Sequence, residues 1–226
     1  MSEGKRVSLL RRRSGLSVSE FREHWAGPHA AIACTMPGIA RYTQNRVSEG
    51  LWNHSESKYA FECDGIVELE FRDEQSMVEA NASETVRTLL PQDELNFLAA
   101  ITLCRVPIGA RQTWDGKVKA MLAGKLARAS SLTRLHEFLG GIEPRPAEFS
   151  IDLVLGASHR EELDFERDPP NVFATLWFDP HHSLKTIFGP TSHWSKMAPS
   201  FISRGTLWRC DTLAIVESST PEPKTR

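Results

Sequence analysis

The stretch FREHWAGPHAAI, residues 21–32, holds two histidines, a tryptophan and a Gly-Pro step. Imidazoles this close could bind a metal, move a proton, or complete the packing of a helix. Two metal ligands on one helix need a spacing of four, as in His-Glu-x-x-His, to share a face. His24 and His29 are five apart, about 140° round an ideal helix, so metal is not expected there. Pro28 removes a donor and crowds the His24 carbonyl, which leaves that angle open. His29 keeps two readings. It is a core histidine bonded to a backbone carbonyl, or a proton-transfer residue whose ordinary pKa of ~6.5 is tuned by burial and a partner. The pattern alone does not choose.

The element that positions these residues is a helix with clear start signals. Ser17-Val18-Ser19-Glu20 is a capping box, with Leu16 and Phe21 at the staple positions. At about 100° per residue Phe21, Trp25 and Ile32 share the inner face, and His29 joins them. His24 falls nearer the edge and is expected to stay wet. On the following strand Tyr42 and Gln44 point to one face, and Thr43 and Asn45 to the other. A Tyr42 hydroxyl beside His29 would orient substrate or stabilise an enolate; equally, Tyr42 is a packing residue. LWNHSESKYAFE, with His54 and Tyr59, is expected to be a loop, exposed or folded over the cavity as a lid.

The chain has a doubled pattern. DGIVELEFRDEQSMVEA (64–80) and NVFATLWFDPHHSLKTIFG (171–189) are both strand-like runs that end at a helix start. Asp73 is expected to cap the first helix, and Asp179, with Pro180 next, the second. Flanking strands repeat about 107–111 positions apart: 7–12 with 118–124, 39–47 with 147–155, 101–108 with 211–218. Each half reads β-α-β-β-α-β, the split βαβ of ferredoxin-like domains. The expected fold class is α+β, two tandem ferredoxin-like repeats packed sheet to sheet as an intramolecular α/β barrel. The expected bounds are 1–108, a linker at 109–117, a second half at 118–218, and a disordered tail at 219–226.

The totals exclude several classes. Lys and Arg number 27 against 29 Asp and Glu, a net charge of −2, so no global field favours nucleic acid or an anionic membrane. Lys5, Arg6, Arg11, Arg12 and Arg13 form a local anion patch or, more simply, a solvated face. No apolar run reaches the ~18 residues of a membrane span, and four scattered cysteines suit reduced thiols in the cytoplasm. There is no P-loop, G-x-G-x-x-G or G-x-S-x-G. His181 and His182 are expected at a helix start as neutral surface residues, and HREELDFERDPP (159–170) as a solvated connection.

Taken together, Leu16, Ser17, Phe21, Arg22, Trp25, His29, Pro37, Gly38, Tyr42, Gln44, Asn45 and Arg46 resemble the pattern of the EthD family, of the dimeric α/β-barrel superfamily. The resemblance covers about residues 5–108. The second half lacks these features, and its first helix ends at Gly140-Gly141 about where a counterpart of His29 would fall. The resemblance implies one intact site per chain and no cofactor. The implied substrate is a small hydrophobic oxygenated or aromatic compound, handled by isomerase or lyase chemistry. His29 and Tyr42 would be catalytic, with Phe21, His24, Trp25, Gln44, Asn45 and Tyr59 binding substrate. A redox role (cofactor-free or haem-dependent oxygenation) and non-catalytic carriage for a partner oxygenase are the rivals. A monomer and a homodimer both fit.

Overall fold

A computed structural model describes residues 4–56, 59–109 and 116–217. The strand β1 (Lys5–Arg12) sets the layering, because its side chains alternate between two buried surfaces. Val7 and Leu9 join an inner core, while Leu10 packs under helices on the opposite face. The chain continues through α1 (Val18–His24), a π-helical turn at Trp25–His29, α2 (Ala30–Ala33), β2 (Ile39–Ser55), β3 (Gly65–Phe71), α3 (Glu74–Ala82), a second π-helical turn at Thr85–Leu89, α4 (Leu90–Phe97) and β4 (Leu98–Val106). Beyond the linker come β5 (Val118–Leu126), α5 (Ser131–Gly140), β6 (Glu148–Leu153), β7 (Gly156–Ser158), β8 (Val172–Phe178), α6 (Leu184–Phe188), α7 (His193–Met197) and β9 (Ile202–Val216).

The nine strands form one antiparallel sheet in the order β6-β8-β5-β9-β2-β3-β1-β4-β7, in an α+β fold. The long strands β2 and β9, of 17 and 15 residues, join the two sets. At one end of the order β6 pairs with β8; at the other, β7 pairs with β4. Only Val154 and Leu155 separate β6 from β7, so the sheet curls until its ends meet. Three cores result: one inside the curl, and one under the helices of each set. Among the described residues no helix is long and apolar enough to cross a membrane.

Several expectations change here. Leu51–Ser55 extend β2, so only the segment after them is a loop. The helix expected at Pro180 begins at Leu184, where the Ser183 side chain accepts from the Thr186 N–H, and His181 and His182 lie in the preceding turn. Asp73 does cap α3, accepting from the Ser76 N–H at 2.7 Å. The tail and residues 110–115 of the linker lie outside the described residues.

Lys5 is not part of a solvated face. It lies inside the curl, where its Nζ is 2.9 Å from Asp152 and 3.3 Å from Glu68. Lys119 donates to Asn45 at 2.9 Å and also contacts Glu68. Asn45 donates to Glu68 at 2.9 Å, so it serves this interior cluster on the face away from His29. Burial opposes charge on Glu68, yet Lys119 and Lys5 hold its carboxyl well below the usual range. Two cations thus balance two carboxylates drawn from both strand sets. Removing one partner strands a buried charge, so Lys119→Met should cost about 3–5 kcal/mol in urea unfolding. Adding Glu68→Gln to it should recover part of that loss.

Candidate functional site

Ser17 caps α1 as a true box: its Oγ accepts from the Glu20 N–H at 3.2 Å, and its N–H donates to Glu20 at 2.7 Å. The helix then widens over Trp25–His29, with Pro28 inside the wide turn. Proline brings no N–H for the carbonyl four residues back, and bonding to the fifth residue absorbs the mismatch. Widening also changes which residues align, because residues five apart now lie on one side. His24 and His29, 140° apart in an ideal helix, therefore meet one carboxylate.

That carboxylate is Asp93 of α4. His29 Nδ1 lies 2.8 Å from Asp93 Oδ2, and His24 Nε2 lies 2.9 Å from Oδ1. An ionised carboxylate only accepts, so both of these nitrogens carry protons, and His29 presents Nε2 as its basic nitrogen. Phe97, one turn after Asp93, fixes both rings, with centroids 4.8 Å from His24 and 4.9 Å from His29. Burial raises the Asp93 carboxyl, but the two histidine hydrogen bonds outweigh it and set the net direction downward. Asp93 was missed in the sequence. Its signal was an acid on the same helical face as Leu90 and Phe97, which are both buried.

His29 and Tyr42 line the same cavity, of about 40 Å³, between the sheet and the helices of the first half. Its apolar wall includes Leu10, Met36, Val67 and Leu69. Burial pushes the Tyr42 phenol well up, so at neutral pH it remains a donor; its oxygen accepts from Gln44 Nε2 at 2.9 Å. Gln44 also donates to the Trp25 carbonyl at 2.7 Å, tying the wide turn to β2. Phe21, Trp25 and Gln44 are fully buried behind the cavity and support it from there. Trp25 sits so close to β3 that a Cβ on Gly65 would fall 2.4 Å from its ring. His24 serves Asp93, and Tyr59 is 72% exposed on a distant loop.

Other residues reach the cavity from afar. Arg6 and Ser8 of β1 line it, so Arg6, like Lys5, leaves the solvated-face reading. Arg160 arrives from the segment read as a solvated connection and binds Glu94 at 2.8 and 3.3 Å. Leu163 of the same segment is buried against the first-half helices. A larger cavity of about 490 Å³ lies elsewhere, beside Leu9, Tyr59, Phe61 and Thr102; its Arg11 and Arg204 are paired with Asp164 and Glu166. Asp179, His181 and His182, in the turn before α6, bring ligand-type atoms within 4.8 Å of one another.

Residues 13–100 match the EthD domain. That span contains His24, His29, Tyr42 and Asp93, and excludes Arg6 and Arg160. No curated protein matches the chain at a significant level. Among solved structures, an anthrone oxidase-like protein is similar over 99% of both chains, at 11% identity and a TM-score of 0.53. A candidate monooxygenase from Lactobacillus acidophilus is similar over 96% of this chain and 98% of its own, at 9% identity and a TM-score of 0.50. Another from Fusobacterium nucleatum is similar over 94% of each chain, at 8% identity and a TM-score of 0.51. At such identities the likeness is one of fold.

The lowered Asp93 carboxyl links the site to acid stability. Its contribution is fully present above the unfolded pKa of about 3.9 and is lost as pH falls through the lower folded value. Asp93→Asn should therefore cost about 1–3 kcal/mol near neutral pH, with the deficit shrinking at more acidic pH. Urea midpoints of both proteins from pH 3 to 7 check this.

Proposed function

We propose that this chain is an EthD-type enzyme that moves a proton on a small hydrophobic oxygenated or aromatic compound without a cofactor. The observation that carries the reading is the Asp93–His29 pair beside an apolar cavity. Asp93 fixes the tautomer and steadies the imidazolium, so His29 Nε2 takes a proton from an acidic C–H or O–H and returns it at another atom. Tyr42 donates to the substrate oxygen on which negative charge develops. Isomerisation, dehydration, decarboxylation and cyclisation all use that pair of roles.

A second reading is favoured by the anthrone oxidase-like neighbour, whose fold spans the chain. The first step is the same deprotonation. The carbanion then reacts with molecular oxygen instead of being reprotonated, and a methylene becomes a carbonyl with release of water. The residues do not fit a haem, because the space beside His29 is about 40 Å³, against roughly several hundred for a cofactor site. A small flat substrate asks far less than a haem, though more than 40 Å³, so its entry displaces lining side chains, of which Met36 is the most adaptable.

We read the two strand sets as a tandem pair with one site. The orders β2-β3-β1-β4 and β6-β8-β5-β9 correspond element by element, which supports the duplication. In the second set the matching layer is filled by Phe188, Trp194 and Phe201, with Leu135 and Leu139 on the buried side of α5. This half then serves as cover, in a monomer or a homodimer.

Anthrone, a ketone with an acidic methylene, is a usable probe. Under anaerobic conditions in D₂O, wild type should speed exchange of that methylene, and His29→Asn should lower the rate about 10²–10³-fold. Equal rates in the two proteins would remove His29 from the chemistry. Admitting oxygen separates the readings, since only the second forms the quinone at the enzymatic rate.

A further inference from the structure

The cavity floor can be laid out from the strand register. Tyr42 of β2 stands opposite Leu69 of β3, and Leu69 stands opposite Arg6 of β1. Arg6 and Tyr42 are thus two strand spacings apart, about 10 Å, with one leucine between them. Ser8 is two positions along β1 from Arg6, on the same face, and lies opposite Val67.

Both β1 residues are donors short of an acceptor. The Arg6 side chain donates to Asn81 Oδ1 at 2.7 Å, a neutral partner, and no carboxylate lies within ion-pair distance of it among the described residues. The nearby Glu94 is engaged in two hydrogen bonds by Arg160. Burial, and after it the Arg160 charge, push the Arg6 guanidinium down to about 10, so it is still a cation at neutral pH. Ser8 is 2% exposed, and among the described residues its Oγ has no hydrogen-bond partner. A buried hydroxyl without a partner is costly, and a half-buried cation without an anion still offers its charge to a ligand. One charge in excess, beside one hydroxyl and an apolar slot, complements a monoanion on a flat body.

We propose that the substrate is a flat aromatic or alicyclic carboxylic acid, its carboxylate held by Arg6 and Ser8 and its apolar body laid across Leu69 towards Tyr42. This deepens the proton-transfer reading by naming the substrate class, and it rests on that reading only for what happens at the Tyr42 end. Arg6 and Ser8 are substrate-binding residues, and the carboxylate takes no part in the proton step. Their position on β1 puts them outside the stretch that matches the EthD domain.

The test uses binding, so it does not depend on turnover. Titration calorimetry with 2-naphthoate and with its neutral counterpart 2-naphthamide should show wild type preferring the acid by about tenfold or more. Arg6→Gln should abolish the preference by weakening the acid alone, Ser8→Ala should reduce it a few-fold, and Arg6→Lys should keep part of it. His29→Asn should keep all of it. Equal affinity for the two probes in wild type, binding of neither, or a preference that survives Arg6→Gln would overturn the proposal. A preference that depends on Arg6 alongside normal proton exchange in His29→Asn would uphold the carboxylate site while sinking the base.

Discussion

Closure of the sheet is the constraint on which the other features rest. A sheet whose ends are joined through Val154 and Leu155 must enclose its inner face, and that face carries Lys5, Glu68, Lys119 and Asp152 as well as apolar side chains. Glu68 and Asp152 are each in contact with a lysine, and the partners come from strands far apart in sequence. The same closure brings the segment after β7 over the outer layer of the first set, where Arg160 completes the cavity beside His29 and Leu163 packs into the core under the helices.

Within that frame a local irregularity makes the chemistry available. A regular helix would direct His24 and His29 to different surroundings. The widened turn around Pro28 lets one carboxylate hold both, and Gln44 pins the turn through the Trp25 carbonyl. Gly65 admits the Trp25 ring against the strand below. Phe21, Trp25 and Gln44 fix the site without lining it. Fully buried, they form a rigid support for the His29–Asp93 pair.

What could be read in the sequence was whatever depends on neighbours a few residues away. The capping box at Ser17, the cap at Asp73 and the split of Tyr42 and Gln44 from Thr43 and Asn45 all follow from local spacing. What escaped was set by contacts across the chain. Asp93 is 64 residues from His29, and Arg160 is 66 from Glu94. Lys5 and Arg6 look like part of a basic run until the register shows one inside the curl and the next in the cavity. A charged side chain at a strand end carries no mark of burial until its partners are known. Ser183, not Asp179, starts α6, because Pro180, His181 and His182 are taken up by a turn.

The shortness of β7 has a mechanical consequence. Of the eight ladders that make up the ring, the one between β4 and β7 has three residue pairs, and every other has six or more. A ring under thermal strain parts where the fewest hydrogen bonds must break together, so this seam is where local opening costs least. Arg160 follows two residues after the seam ends at Ser158. Beyond Arg160 the chain bonds to β4 again, through Asp164 to Ala99 and Ile101, so the seam that closes the ring and one wall of the cavity hang on a single strand edge.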